Sequence, residues 1–156
     1  MDANTHIFPG EIEIPDSFIN IYETFYKKVF FNKKSKTILT LWNEQSAHIS
    51  EEEYKKDALH TSQLIVKNKA LNLLADNREN KFPLTPEIQR WYIESISNMF
   101  SLHTGNKCAL LVNENLLLHQ VFDETSSKAA QLTKTQKVEI RFFTRFDEAF
   151  KWLSKL

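Results

Sequence analysis

The stretch Leu71-Asn72-Leu73-Leu74-Ala75 constrains the fold more than any other. It is apolar almost throughout, the pattern of a strand covered on both faces. A charged loop follows, from Asp76-Asn77-Arg78 to Leu84, and then Thr85-Pro86. A hydroxyl cap with proline at the first helical position marks a helix start. Ile88, Trp91, Tyr92, Ile96 and Met99 supply that helix with an apolar stripe, and Gly105 is its expected stop. Strand, loop and capped helix in this order point to alternating α/β architecture.

The same alternation extends to either side. Thr24 to Phe31 and Thr37 to Trp42 read as two strands joined by the polar turn Asn32-Lys33-Lys34-Ser35-Lys36, a hairpin. Ser50, with Glu53 three residues on, forms a capping-box signature, and Tyr54, Ala58, Thr61 and Ile65 repeat at helical spacing. Lys107 to Val112 reads as the next strand. A third helix is expected from Asn113 or Asn115, carrying Leu116, Leu117, Leu118, Val121 and Phe122, before the polar segment 124–136. Lys137 to Phe143 is the last strand. Thr144-Arg145-Phe146-Asp147 resembles a second capping box and opens a closing helix that packs Phe146, Ala149, Phe150 and Leu153. The expected order is β-β-α-β-α-β-α-β-α: a five-stranded, mixed, mostly parallel sheet, with the first strand as its antiparallel edge. Residues 1–23 contain Pro9-Gly10 and Pro15-Asp16, which are turn signals, among several apolar residues. They read as an arm packing on the domain of 24–156 or on a partner, and with the strand-one aromatics they favour a homodimer.

Composition removes several functions. Two glycines, Gly10 and Gly105, stand apart in 156 residues, which leaves no material for a phosphate-cradling loop. Twenty basic residues balance twenty acidic ones, so no whole-chain attraction to nucleic acid is expected. Cys108 is alone, which rules out an internal disulfide and a cysteine-based zinc cage, and its strand position suits a small buried hydrophobe. His6, His48, His60, His103 and His119 form no pair at metal-ligand spacing, so neither a metal nor another cofactor is expected. The chain opens Met1-Asp2-Ala3-Asn4 without a basic region and apolar core, and no run approaches a membrane span; a cytoplasmic protein is expected.

In open α/β sheets, ligands meet the carboxyl ends of the parallel strands. That rule selects Asn43 and His48 after the second strand, and Asp76, Asn77 and Arg78 after the central one. It adds Asn113 and Glu114 after the fourth and Arg145 after the last. Arg78 can grip a carboxylate or phosphate through two parallel bonds, or pair with Asp76, Glu79 or Glu114. Asp76 suits capping of its own loop.

Three pieces carry a family resemblance. They are Ile49-Ser50-Glu51-Glu52-Glu53-Tyr54; Leu73-Leu74-Ala75-Asp76-Asn77-Arg78 with Pro86-Glu87-Ile88-Gln89-Arg90-Trp91; and Arg141-Phe142-Phe143 with Glu148-Ala149-Phe150-Lys151-Trp152-Leu153. In order and spacing they resemble the STAS-like (SpoIIAA-like) domains, and among these the small bacterial STAS/CRAL-TRIO-like proteins. The resemblance implies a β-α superhelix with strands roughly in sequential order, and a regulatory or binding role instead of catalysis. In the anti-sigma-factor antagonists of that family, an Asp-Ser-Ser/Thr-Gly motif carries a phosphorylated serine at a helix start. This chain lacks the motif; Thr85 is the hydroxyl residue near the equivalent helix start, as a phosphosite or as a plain cap. Three functions follow as expectations. The first is a non-catalytic domain engaging a protein partner or small anionic ligand. The second is a carrier or sensor of a lipid or other apolar molecule. The third is a small enzyme using Asp76, Arg78 and His48.

Overall fold

The computed structural model describes residues 5–7, 13–102, 107–114 and 139–155. The expected third helix with Leu116 to Phe122, the segment 124–136 and Gly105 lie outside the described residues. Strands β1 (Thr5–Ile7) and β2 (Glu13–Pro15) pair with each other as an antiparallel ribbon. Six further strands form one sheet, and their order across it is their order in the chain. They are β3 (Phe18–Glu23), β4 (Lys27–Asn32), β5 (Thr37–Trp42), β6 (Asn72–Asp76), β7 (Lys107–Leu111) and β8 (Glu139–Phe143). Strands β3, β4 and β5 run antiparallel; β5 through β8 are parallel. The described helices are α1 (Glu51–Lys67), α2 (Pro86–Leu102) and α3 (Phe146–Ser154).

Mixed α/β architecture is therefore correct, and the strand count of five is not: among the described residues the sheet has six. The added strand is β3, drawn from the segment read as an arm. It pairs with β4, so the first expected strand is interior and not the edge. Its pattern was hidden by a register shift between Asn20 and Tyr22. A bulge inserts an unpaired residue and breaks the period of two by which a strand is recognised. Phe18 accordingly packs on one face of the sheet, while Ile21 and Tyr22 pack on the other.

Period-two alternation builds both cores. Val29, Ile38, Leu73, Ala75, Cys108 and Leu110 meet Ile65 of α1 and Ile93 of α2 on one face. Phe18, Phe30, Leu39, Leu74, Ala109 and Leu111 meet Ala149 and Leu153 of α3 on the other, with Ile14 of β2 joining them. Every residue of β6 is buried, the apolar Leu73-Leu74-Ala75 together with Asn72 and Asp76 at its ends.

The caps explain where helices start and stop. Ser50 Oγ accepts from Glu53 N at 3.1 Å, and Thr85 Oγ1 accepts from Ile88 N at 3.3 Å. α1 ends in a Schellman arrangement: Ala70 N donates to Ile65 O and Lys69 N to Val66 O, with Lys69 left-handed at φ 52°. The capping box expected at Thr144 does not form. The N-cap of α3 is Arg145, which makes no side-chain cap bond because a guanidinium has no acceptor to offer a helix N–H; it pairs with Asp147.

Candidate functional site

The strand-end edge is built largely of groups that bind one another. Asp76 closes β6 and is 1% exposed. Its Oδ1 accepts from Arg78 N and Nε at 3.2 and 3.0 Å, and its Oδ2 from Arg78 Nη2 at 2.8 Å. Two residues apart, the pair uses both prongs of the arginine fork. Asn77 N donates to Leu111 O, tying the loop to β7, and Lys81 N donates to Ser46 Oγ, tying it to the 3-10 turn Glu44–His48 that follows β5.

Asn43 caps that turn by accepting from Gln45 N at 2.8 Å, and its Nδ2 donates to Phe25 O at 3.1 Å. His48 is exposed in the same turn, with no hydrogen bond or ion pair to Asp76 or Arg78 among the described residues. Asn113 and Glu114 are exposed beyond β7. Arg145 pairs with Asp147 through two bonds of 3.1 and 3.0 Å, in the open. That contact raises the Arg145 guanidinium and lowers the Asp147 carboxyl relative to their ordinary values. Thr85 is exposed and capping α2. The structure thus joins Asp76 with Arg78 and seats Asn43 on the β3–β4 turn, while Arg145 is engaged in its own local pair.

Asn77 also borders a small space of about 30 Å³ with Tyr54, Leu84, Tyr92, Val112 and Phe142. That is the size of one water, too small for a lipid tail.

A second polar centre lies under α1, and sequence reasoning missed it. Lys27 begins β4, yet its side chain is 3% exposed and its Nζ lies 2.5 Å from Asp57 Oδ2, itself in a side chain 2% exposed. Thr61 Oγ1 is 2.6 Å from the same nitrogen, and the Trp42 ring lies beneath it, 4.9 Å to the centroid. Tyr26 OH reaches Asp57 Oδ1 at 3.4 Å. Burial lowers the Lys27 amine, and Asp57 opposes that shift. Burial followed by the Asp57 charge raises the phenols of Tyr22, Tyr26 and Tyr54. The rings of Tyr26, Trp42, Tyr54 and Phe82 stack in succession, with centroids 5.7, 5.5 and 4.5 Å apart. Phe82 carries the loop after β6 into this column. The available signal was Asp57 itself, three residues after Tyr54 on the inward stripe of α1, where an acid needs a buried partner.

Beside this centre an open cleft of about 590 Å³ lies between the β3–β4 turn and the first turns of α1. Tyr22, Thr24, Phe25 and Tyr26 line one side; Glu52, Glu53, Lys56 and His60 line the other, with Asp57 between. Thr24 shapes the turn, accepting from Tyr26 N while its own N donates to Lys27 O. That geometry leaves Phe25 62% exposed at the cleft. No group of three or more histidine, cysteine, aspartate or glutamate side chains is placed to hold a metal among the described residues. No described helix is long and apolar enough to cross a membrane.

Comparison of the chain with protein-family models, curated proteins and solved structures gives no match.

Proposed function

We propose that the chain is a STAS-like regulatory or binding domain of a bacterial cytoplasm that engages a protein partner and carries out no chemistry of its own. The observation that carries this reading is the open cleft of about 590 Å³ flanked by the exposed ring of Phe25. Exposed aromatic side chains beside a polar rim are typical of contact surfaces. A rigid floor supports it: the Lys27–Asp57 pair and the stacked rings hold the turn and α1 in fixed relation. The sequential order of β3 to β8 supports the STAS-like part, since that order is what the family resemblance implies.

A protein partner is favoured over a small anion because the forks of Arg78 and Arg145 already grip Asp76 and Asp147. The alternative of a lipid carrier gains nothing from the space of about 30 Å³ beside Asn77. The alternative enzyme would have to bring His48 to Asp76 and Arg78, which the described contacts do not do. Self-association is a second reading, supported by Ile19, 65% exposed on the outer strand β3. Light scattering of wild type and Ile19→Asp tests it, a monomer at high concentration in both being the contrary result.

Ligand-observed and amide NMR of the full chain against a mixed fragment and peptide library tests the main reading. Saturable shifts at Tyr22, Phe25 and Tyr26 are expected. Shifts confined to Asn77, Arg78 and Asn113, or turnover lost in Arg78→Ala, would overturn it.

A further inference from the structure

We infer that the cleft between the β3–β4 turn and α1 receives a lysine or arginine side chain from a basic segment of a protein partner. The inference rests on the binding reading above and adds the chemistry of what is bound.

Three features of the cleft converge on a cation. The first is its aromatic wall. Phe25 and Tyr26 meet edge to face at 5.0 Å, and Tyr22 continues the same side, its ring 4.4 Å from that of His60. A cationic head group is attracted to the faces of such rings, and its alkyl stem covers them.

The second is charge. Glu52 and Glu53 line the cleft and are exposed. Neither has an ion-pair partner among the described residues, whereas Glu51 is taken up by Lys55 at 3.2 Å. Against these two carboxylates the lining holds one ammonium, Lys56. The third acid, Asp57, is balanced by Lys27. The rim therefore retains an uncompensated negative charge. The positive end of α1, worth about half a unit charge, offsets part of this charge without reversing it.

The third feature is a worked example in the same molecule. One layer deeper, Lys27 is held by a carboxylate, a hydroxyl and the face of Trp42. The cleft repeats these components within reach of solvent: Glu52 and Glu53 for the carboxylate, Thr24 for the hydroxyl, Tyr22 and Phe25 for the rings.

Shape selects the source of the cation. Sites for free small molecules enclose most of the ligand surface. This cleft is open along one side and Phe25 stands largely in solvent. An open, aromatic, acidic groove suits a side chain delivered by a polypeptide whose flanking backbone lies across the mouth, with complementary charge guiding the approach.

The test uses the full chain and three probes: a capped Gly-Ser-Arg-Ser-Gly peptide, its Gly-Ser-Glu-Ser-Gly counterpart, and free butylammonium. Amide shifts at Tyr22, Phe25, Tyr26 and Glu53 are followed to saturation. The arginine peptide is expected to bind there, more tightly than butylammonium, while the glutamate peptide leaves the cleft unmoved. Glu52→Gln combined with Glu53→Gln should weaken the arginine peptide about fivefold and flatten its salt dependence. Phe25→Ala, a change at a side chain 62% exposed, should weaken it about threefold. Equal response to both peptides, or tighter binding of butylammonium than of the arginine peptide, overturns the inference. If neutral or anionic members of the library occupy the cleft while the arginine peptide does not, the inference falls and the binding reading stands. If no probe of any class moves the cleft, both fall.

Discussion

Removing the carboxylate of Asp57 should cost far more than a surface ion pair would. The side chains of Lys27 and Asp57 are 3% and 2% exposed, and Nζ sits 2.5 Å from Oδ2. Deleting one partner strands the other charge out of water, which costs about 3–5 kcal/mol. For a chain of this length, each kcal/mol moves Tm by roughly 2–4 °C, so Asp57→Ala should melt roughly 6–20 °C lower. The double change Lys27→Met with Asp57→Leu removes both charges and fills the space with apolar atoms. It should recover most of that loss, because a buried pair and a hydrophobic replacement are often close in free energy.

The assay is urea unfolding of the wild type, both single variants and the double variant, analysed as a cycle. The pH dependence carries a second signature. The Lys27 amine titrates below its ordinary 10.5 because burial disfavours the charged form. A depressed folded value means that the unfolded chain binds more protons, so this contribution is complete above 10.5 and is lost as pH falls through the folded value. Asp57→Ala deletes the opposing charge and drives the amine lower still. Its deficit against wild type should therefore shrink as pH rises toward the ordinary lysine range. An Asp57→Ala variant that loses under about 1 kcal/mol, with no pH trend, would refute the picture of a dry, paired lysine under α1.

Three further outcomes follow from the same structure. Lys69 occupies the left-handed C′ position of α1, so Lys69→Gly should raise stability by about 1 kcal/mol in urea unfolding; a loss would contradict the Schellman geometry. Cys108 is fully buried and burial pushes its thiol well up, so it should resist a disulfide exchange reagent in the native state and react at the rate of unfolding. Rapid native-state labelling would contradict that burial. The phenols of Tyr26, Tyr54 and Tyr92 are raised above 10.0, mainly by burial. A raised folded value gives stability that is whole below pH 10 and is lost as pH climbs through the folded values; Tyr54→Phe should shallow that alkaline loss in melts taken across the range.

The legible parts of the fold were those set by local pattern. Leu73-Leu74-Ala75 announced a strand buried on both faces because every position was apolar. Ser50 and Thr85 announced helix starts because a hydroxyl three residues ahead of an orphan N–H is a local arrangement. The Asp76–Arg78 pair was among the contacts anticipated, since two residues of sequence keep it within reach in the loop. Strand β3 was not legible, because the shift at Asn20 and Tyr22 breaks the alternation that names a strand.

Sequence by itself thus determined the alternating class, the capped starts of α1 and α2, the run of parallel strands and the lack of a glycine-rich phosphate loop. Tertiary structure decided the sixth strand and the cover of each sheet face. It also decided the meeting of Lys27 with Asp57, thirty residues apart, and with it the neighbouring cleft. The physical reason is range. Periodicity and capping act within a few residues, whereas a buried ion pair and the walls of a cleft are joined only when a hairpin and a helix pack together.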